Sequence, residues 1–98
     1  MNNLQIFNKI IKSNFDINNI EEIQDNFGPD QIKNWDSLGH IELVTALEEK
    51  FEISLAVEDV SRMYTIGDIK KILKKYDVII WPLLTMFLSY PQSLVKLQ

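Results

Sequence analysis

"NWDSLGHIELVTALEEKFEI", residues 34–53, is the stretch on which the reading of this chain turns. It sets an acid and a hydroxyl, Asp36 and Ser37, directly ahead of a run with helical rhythm that reaches about Lys50. Asp36 is suited to cap that helix, because its oxygen can accept from the free N–H groups of the first turn and its charge complements the positive end of the dipole. At about 100° per residue, Ile41, Leu43, Val44, Leu47 and Phe51 fall on one side, and Leu38, Glu42, Thr45 and Glu49 on the other. The first side is the expected core and the second an expected acidic, solvated face.

Working toward the N-terminus, residues 16–36 lose the rhythm but keep Ile17, Ile20, Ile23, Phe27, Ile32 and Trp35 among turn-forming residues. They read as a long loop pinned to the core, with one short helical turn and its sharpest bend at Gly28-Pro29. Before them, Leu4, Phe7, Ile10, Ile11 and Phe15 recur at helical spacing, with Asn2 or Asn3 available as cap. Toward the C-terminus, "ISLAVEDVSRMYT" predicts a brief connection and a short third helix near Glu58 to Arg62. Thr65, three residues before Asp68, makes a near capping box for a last helix in which Ile66, Ile69, Ile72 and Leu73 share a face. Lys70, Lys71, Lys74 and Lys75 of that helix point outward. No strand alternation, internal repeat or low-complexity tract competes with an all-α fold.

The chain has 98 residues, which fits one domain, and its 46% hydrophobic and 24% charged content is that of a globular protein. It has no cysteine, which removes disulfides, thiolate chemistry and cysteine-ligated zinc, and its single histidine, His40, leaves little for a metal site. The net charge of −4 argues against a nucleic-acid surface, which needs clustered Lys and Arg, and favours partners with basic surfaces. The N-terminal residues lack the basic segment and apolar run of a secretory signal, so a cytoplasmic location is expected. Residues 77–98 are far more apolar than the surface before them, yet Val78 to Leu88 is too short to span a bilayer and Pro82 interrupts it, so no transmembrane segment is expected.

A hydroxyl at a helix N-terminus can serve the helix as part of its cap, or it can carry a phosphodiester, whose charge the free N–H groups and the dipole favour. Resemblance separates the two. "DSLGHIELVTALEEKFEI" resembles the core motif of acyl carrier proteins, in which the serine of an Asp-Ser-Leu triplet opens the second helix and bears 4′-phosphopantetheine. "EDV" at 58–60 resembles the short third helix of that family, and "MYTIGDIKKIL" at 63–73 its threonine-capped fourth helix, so the likeness covers about residues 4–75.

The resemblance implies an acyl-carrier-like four-helix bundle of three main helices and one short one over residues 1–76, followed by the apolar extension 77–98. It implies no catalysis by the protein itself: a thioester would be held on the arm attached to Ser37, flanked by Asp36 and Leu38, with the cofactor supplying the thiol the chain lacks. Implied partners are a phosphopantetheinyl transferase and acyl-loading and acyl-transfer enzymes with basic surfaces. They would meet Leu38, Glu42, Thr45, Glu49, Glu58 and Asp59, with Glu48 and Glu52 nearby. An acyl chain would shelter among His40, Ile41, Val44, Leu47, Val60, Met63 and Ile69, residues for which core packing is the other reading. Fatty-acid carriers commonly have an acid after the triplet, a methionine at the place of Thr45 and a more acidic third helix. Gly39, Thr45 and Ser61 therefore lean toward stand-alone carriers of polyketide, peptide or surface-glycan pathways, with fatty acid biosynthesis also open.

Two other readings stand beside the carrier. One is an unmodified helical interaction module that works through its acidic face and apolar tail. The other is a hydrolytic triad of Asp36, Ser37 and His40, which one helical turn arranges poorly. For the tail, packing over the helices, a dimer or partner-docking segment, and a membrane-surface contact compete, with packing or self-association favoured because exposed Ile79, Ile80, Trp81, Leu83, Leu84 and Phe87 would aggregate. Insertion of the tail where cargo sits would make it an autoinhibitor.

Overall fold

The computed structural model describes residues 2–80, which form four α-helices and one 3₁₀ turn, with no strand among them. α1 (Asn3–Phe15) starts in a complete capping box: Asn2 accepts from the Gln5 N–H at 2.8 Å, and the Gln5 side chain accepts from the Asn2 N–H at 3.0 Å. Its apolar stripe buries Phe7, Ile10, Ile11 and Phe15 and half-buries Leu4. Asp16 ends the helix in the left-handed conformation, with φ of 55°, and the Ile17 N–H returns to the Lys12 carbonyl at 3.0 Å.

The loop that follows holds itself to the core as expected. Ile32 and Trp35 are buried, Ile17, Ile20, Ile23 and Phe27 are half-buried, and the helical turn is the 3₁₀ segment Ile20–Glu22, capped by the Asn19 side chain. Its carbonyls are used at the far end of the chain, where Ile66 N–H donates to Phe27 O at 2.9 Å and Gly67 N–H to Asp25 O at 2.8 Å. These bonds satisfy two of the donors that the start of a helix leaves free. Lys70 adds an ion pair to Asp25 at 2.8 Å while its ammonium lies 5.8 Å from the Phe7 ring centroid.

α2 (Ser37–Phe51) packs against α1, with Asn14 of α1 donating to the Gly39 carbonyl at 3.0 Å, so the end of α1 lies beside the start of α2. α3 (Val57–Val60) begins one residue earlier and is shorter than the sequence predicts. α4 (Ile66–Lys75) has the expected Thr65 cap, which accepts from Asp68 N–H at 3.0 Å, and buries Ile66, Ile69, Ile72 and Leu73. Asp68 in turn accepts from the Tyr64 N–H at 3.3 Å, one residue ahead of the cap. The apolar faces of α1, α2 and α4 meet in one core that also takes in Met63.

Three sequence expectations need correction. Ile41 is 63% exposed: the buried stripe of α2 is centred on Leu43 and Leu47, and Ile41 lies roughly 140° round the helix from that centre. Asp59 is 5% exposed and does not join the acidic face. Its two oxygens accept from Lys75 and from the Tyr76 hydroxyl, both at 2.6 Å, and that hydroxyl accepts from the Ala56 N–H at 3.0 Å. The core also does not stop at residue 76. Asp77 turns left-handed at φ 66°, Val78 N–H returns to the Leu73 carbonyl at 3.0 Å, and Val78 and Ile80 are buried. Of the apolar cluster expected in the tail, Ile80 is thus inside and Ile79 is 37% exposed. Trp81, Leu83, Leu84 and Phe87, with the readings attached to them, lie outside the described residues.

The hydrogen bonds from Lys75 and Tyr76 hold the Asp59 carboxyl below the ordinary carboxylate range, against the opposing effect of burial. Because the folded-state value is depressed, the stability from this site is fully present above the unfolded value near 3.8 and is lost as pH falls through the folded one. Urea unfolding of Asp59→Asn is therefore expected to show lower stability than the native chain at pH 7, with the difference shrinking below about pH 4. A gap that stays constant down to pH 2 would contradict this assignment.

Candidate functional site at the start of α2

Asp36 stands in extended conformation at φ −109° and ψ −166°, and its Oδ1 accepts from the Gly39 N–H at 2.8 Å. The cap is therefore filled by Asp36 alone. Ser37, the first helical residue, is exposed, and its hydroxyl takes part in none of the hydrogen bonds among the described residues. A serine placed one residue inside the cap has its backbone committed to the helix and its Oγ left to solvent.

Gly39 explains how the loop can approach so closely. A Cβ at this position would overlap the Asn34 carbonyl oxygen, which the left-handed Asn34, φ 73°, presents to the first turn of α2. The departure from carriers with an acid here thus has a local cause: the Trp35 approach leaves no room for a side chain.

His40 sits under this turn and is tied on both ring nitrogens. The Trp35 indole N–H can only donate, so Nδ1 accepts it, at 3.0 Å, and Nε2 carries the hydrogen given to the Val60 carbonyl at 2.9 Å. Trp35 also packs at 5.2 Å between ring centroids on Phe15 and at 6.2 Å on the His40 ring. His40 is a bridge between the loop, α2 and α3; with both nitrogens engaged it is not available as a base for Ser37, and the triad reading falls.

The structure places the remaining candidates in three groups. Leu38, Glu42, Thr45, Glu49 and Glu58 are exposed, Leu38 at 66%, and the Thr45 hydroxyl donates to the Ile41 carbonyl at 2.9 Å. Ile41 joins Leu38 outside, and Val57 at 81% and Tyr64 at 66% are further exposed apolar residues that the sequence reading did not single out. Glu48 turns inward to accept from the Leu55 N–H at 2.8 Å, holding the connection to α3. Of the expected acyl lining, Leu47, Met63 and Ile69 are buried in the core, and His40, Val44 and Val60 are half-buried. A groove of about 500 Å³ lies elsewhere, between Ile6, Lys9, Ile10 and Ser13 of α1 and Glu42, Ala46 and Lys50 of α2. No cluster suited to a metal ion occurs among the described residues, and none of their helices is long and apolar enough to cross a membrane.

No family profile matches the chain. Among solved structures, one from Mycobacterium tuberculosis described as "a putative acyl carrier protein" superposes with a TM-score of 0.66 at 23% identity, over 76% of this chain and 97% of that one. The likeness is one of fold, and it bears out the acyl-carrier-like helical bundle expected from the sequence.

Gly39→Ala is expected to destabilise the protein by about 1–3 kcal/mol, since backbone rather than a flexible side chain must yield. Urea unfolding measures it, and a neutral result would mean that the Asn34 loop is free to move away. His40→Ala leaves the Trp35 indole and the Val60 carbonyl without their partner and should cost a similar amount, about 1–3 kcal/mol. Amide exchange should then quicken in α3 more than in α1.

Proposed function

We propose that this chain is an acyl carrier, modified at Ser37 by 4′-phosphopantetheine and delivering acyl groups as thioesters to partner enzymes. The observation that carries the reading is the Ser37 hydroxyl, exposed and uncommitted at the N-terminus of a 15-residue helix whose cap is already supplied by Asp36. Those residues fit the group: the oxygen is accessible, and the dipole and free N–H groups of the first turn favour a phosphodiester's negative charge. The arm supplies the thiol that a chain without cysteine cannot.

The chain's own part is presentation. Asp36 keeps the first turn wound, Gly39 and His40 lock it to the loop and to α3, and Leu38 stands beside the attachment point for a transferase to contact. Glu42, Thr45, Glu49 and Glu58 give partners with basic surfaces a face to meet, where charge speeds encounter more than it tightens the complex. Asp59 is withdrawn from that face by Lys75 and Tyr76, and Ile41 is added to it, so the surface is less acidic and more apolar than the sequence suggests. Together with Gly39, Thr45 and Ser61, this weakened acidic face favours a stand-alone carrier of a polyketide, peptide or surface-glycan pathway over one of fatty acid biosynthesis. Work of this kind between enzymes accords with a cytoplasmic setting.

Intact mass after incubation with coenzyme A and a broad-specificity phosphopantetheinyl transferase tests the reading. One added arm on the native chain and none on Ser37→Ala is the expected result. No addition to the native chain, with its helicity confirmed by circular dichroism, would reject the carrier. It would leave the unmodified interaction module that works through its acidic face and apolar tail.

A further inference from the structure

We propose that the groove between α1 and α2 is the contact of a homodimer, in which a second copy of this chain sets its own groove against it about a two-fold axis running along the groove. The proposal goes beyond the carrier reading and holds whether or not Ser37 bears an arm.

The two walls of the groove differ in charge. α1 carries Lys9 and Lys12 and no acid, and both lysines are exposed, Lys9 on the groove and Lys12 on the shallower hollow beside it. On the other wall Glu42 is exposed at the edge of the groove, and Glu49 is exposed about 20° from it around α2. None of these four is in an ion pair among the described residues, whose pairs are Lys70 with Asp25 and Lys75 with Asp59. Between the walls lie Ile10 and the half-buried Ile6 and Ala46, an apolar floor in an opening of about 500 Å³. A basic wall, an apolar floor and an acidic wall make a surface whose complement is its own copy turned over.

Symmetry and register agree with this. A two-fold axis along the groove leaves every residue at its own height and exchanges the walls, so α1 of one copy lies over α2 of the other. The bond from Asn14 to the Gly39 carbonyl sets the heights, because from that point α1 and α2 run back along the same groove at the same rise per residue. Glu42, three residues after Gly39, is therefore level with Ile11, three residues before Asn14, and stands between Lys9 and Lys12 of the facing copy. Lys50, the cation on the acidic wall, is level with Asn3, so no lysine of the facing copy opposes it. Each contact is made twice, and the two apolar floors leave water together. Because the floor is small the dimer is a weak one, in which charge selects this arrangement over others. Glu42 and Glu49 also belong to the face offered to partner enzymes, so pairing and partner docking compete.

Sedimentation equilibrium of the full chain at low salt tests the contact. The mass should rise with concentration from 11.5 kDa toward twice that, with about a third or more of the chains paired at about 1 mM. Lys9→Glu with Lys12→Glu, or Glu42→Lys with Glu49→Lys, sets like charges against each other and should abolish pairing. The four substitutions together keep the net charge at −4 and restore opposite charges across the contact, so that variant should pair again to within about threefold of the native constant. An equimolar mixture of the two double variants should pair them with one another. All four side chains are exposed, so the core is left intact, and circular dichroism checks the helicity of each variant. A single-chain mass at every concentration, growth past two chains, or recovery in neither the fourfold variant nor the mixture would overturn the proposal. Pairing that persists in either double variant would overturn it in favour of a contact on another surface of the chain.

Discussion

Trp35 gives its indole hydrogen to His40, and His40 gives its own to the Val60 carbonyl, and through these two bonds three parts of the chain with no local reason to meet are held together. Each bond is made by a group that cannot afford to be buried alone, since an unpaired indole N–H or backbone carbonyl costs about 1–3 kcal/mol. The relay sets where the loop ends, how α2 begins and where α3 lies. Phe15 packs on Trp35 and extends the same constraint to the end of α1. The position of the Ser37 hydroxyl is a consequence of this arrangement rather than of any bond that Ser37 makes.

With the loop drawn in by Trp35, the backbone at Asn34 comes against the first turn of α2, and only a residue without a Cβ fits there. The approach leaves Asp36 as the last extended residue, in position to fill the Gly39 donor. One acceptor suffices for that donor, and the carboxylate also gains from the helix dipole, so the neighbouring serine is surplus to the cap. An exposed hydroxyl in a first turn is costless to folding, which is why its presence there asks for another explanation.

Much of this was legible in the chain. Phe7, Ile10, Ile11 and Phe15, or Ile66, Ile69, Ile72 and Leu73, announce buried stripes because each helix presents a single narrow face. α2 was harder: its apolar residues go most of the way round, so periodicity alone set Ile41 inside, and only the contacts of Leu43 and Leu47 fix the centre of the stripe. Asp59 is hidden from sequence reading for a related reason: a four-residue helix has no measurable face, and the acid's partners, Lys75 and Tyr76, lie 16 and 17 residues away. Phe15-Asp16-Ile17, Phe51-Glu52-Ile53 and Tyr76-Asp77-Val78 repeat aromatic, acid, branched aliphatic, and in each the acid is left-handed and the aliphatic N–H returns to Lys12, Glu48 or Leu73. These are helix stops made without glycine, recognisable by the apolar residue that folds back behind the acid.

α3 shows what the rest of the bundle must supply. Four residues cannot sustain a helix by their own hydrogen bonds, because nucleation costs more than so few bonds return. Its place is therefore decided from outside: at its start by the Tyr76 hydroxyl on Ala56, along its inner side by Lys75 and Tyr76 on Asp59, and at its end by His40 on Val60. Two of these clamps come from Lys75 at the end of α4 and from Tyr76 just after it, and one from the turn after Ser37. The segment bearing the exposed Val57 and Glu58 is thus coupled both to the start of α2 and to the point where the chain turns back along the core at Asp77, Val78 and Ile80. Any change that alters how the chain leaves α4 bears on Tyr76, and through Tyr76 on the surface beside the serine, although it touches neither Ser37 nor α2.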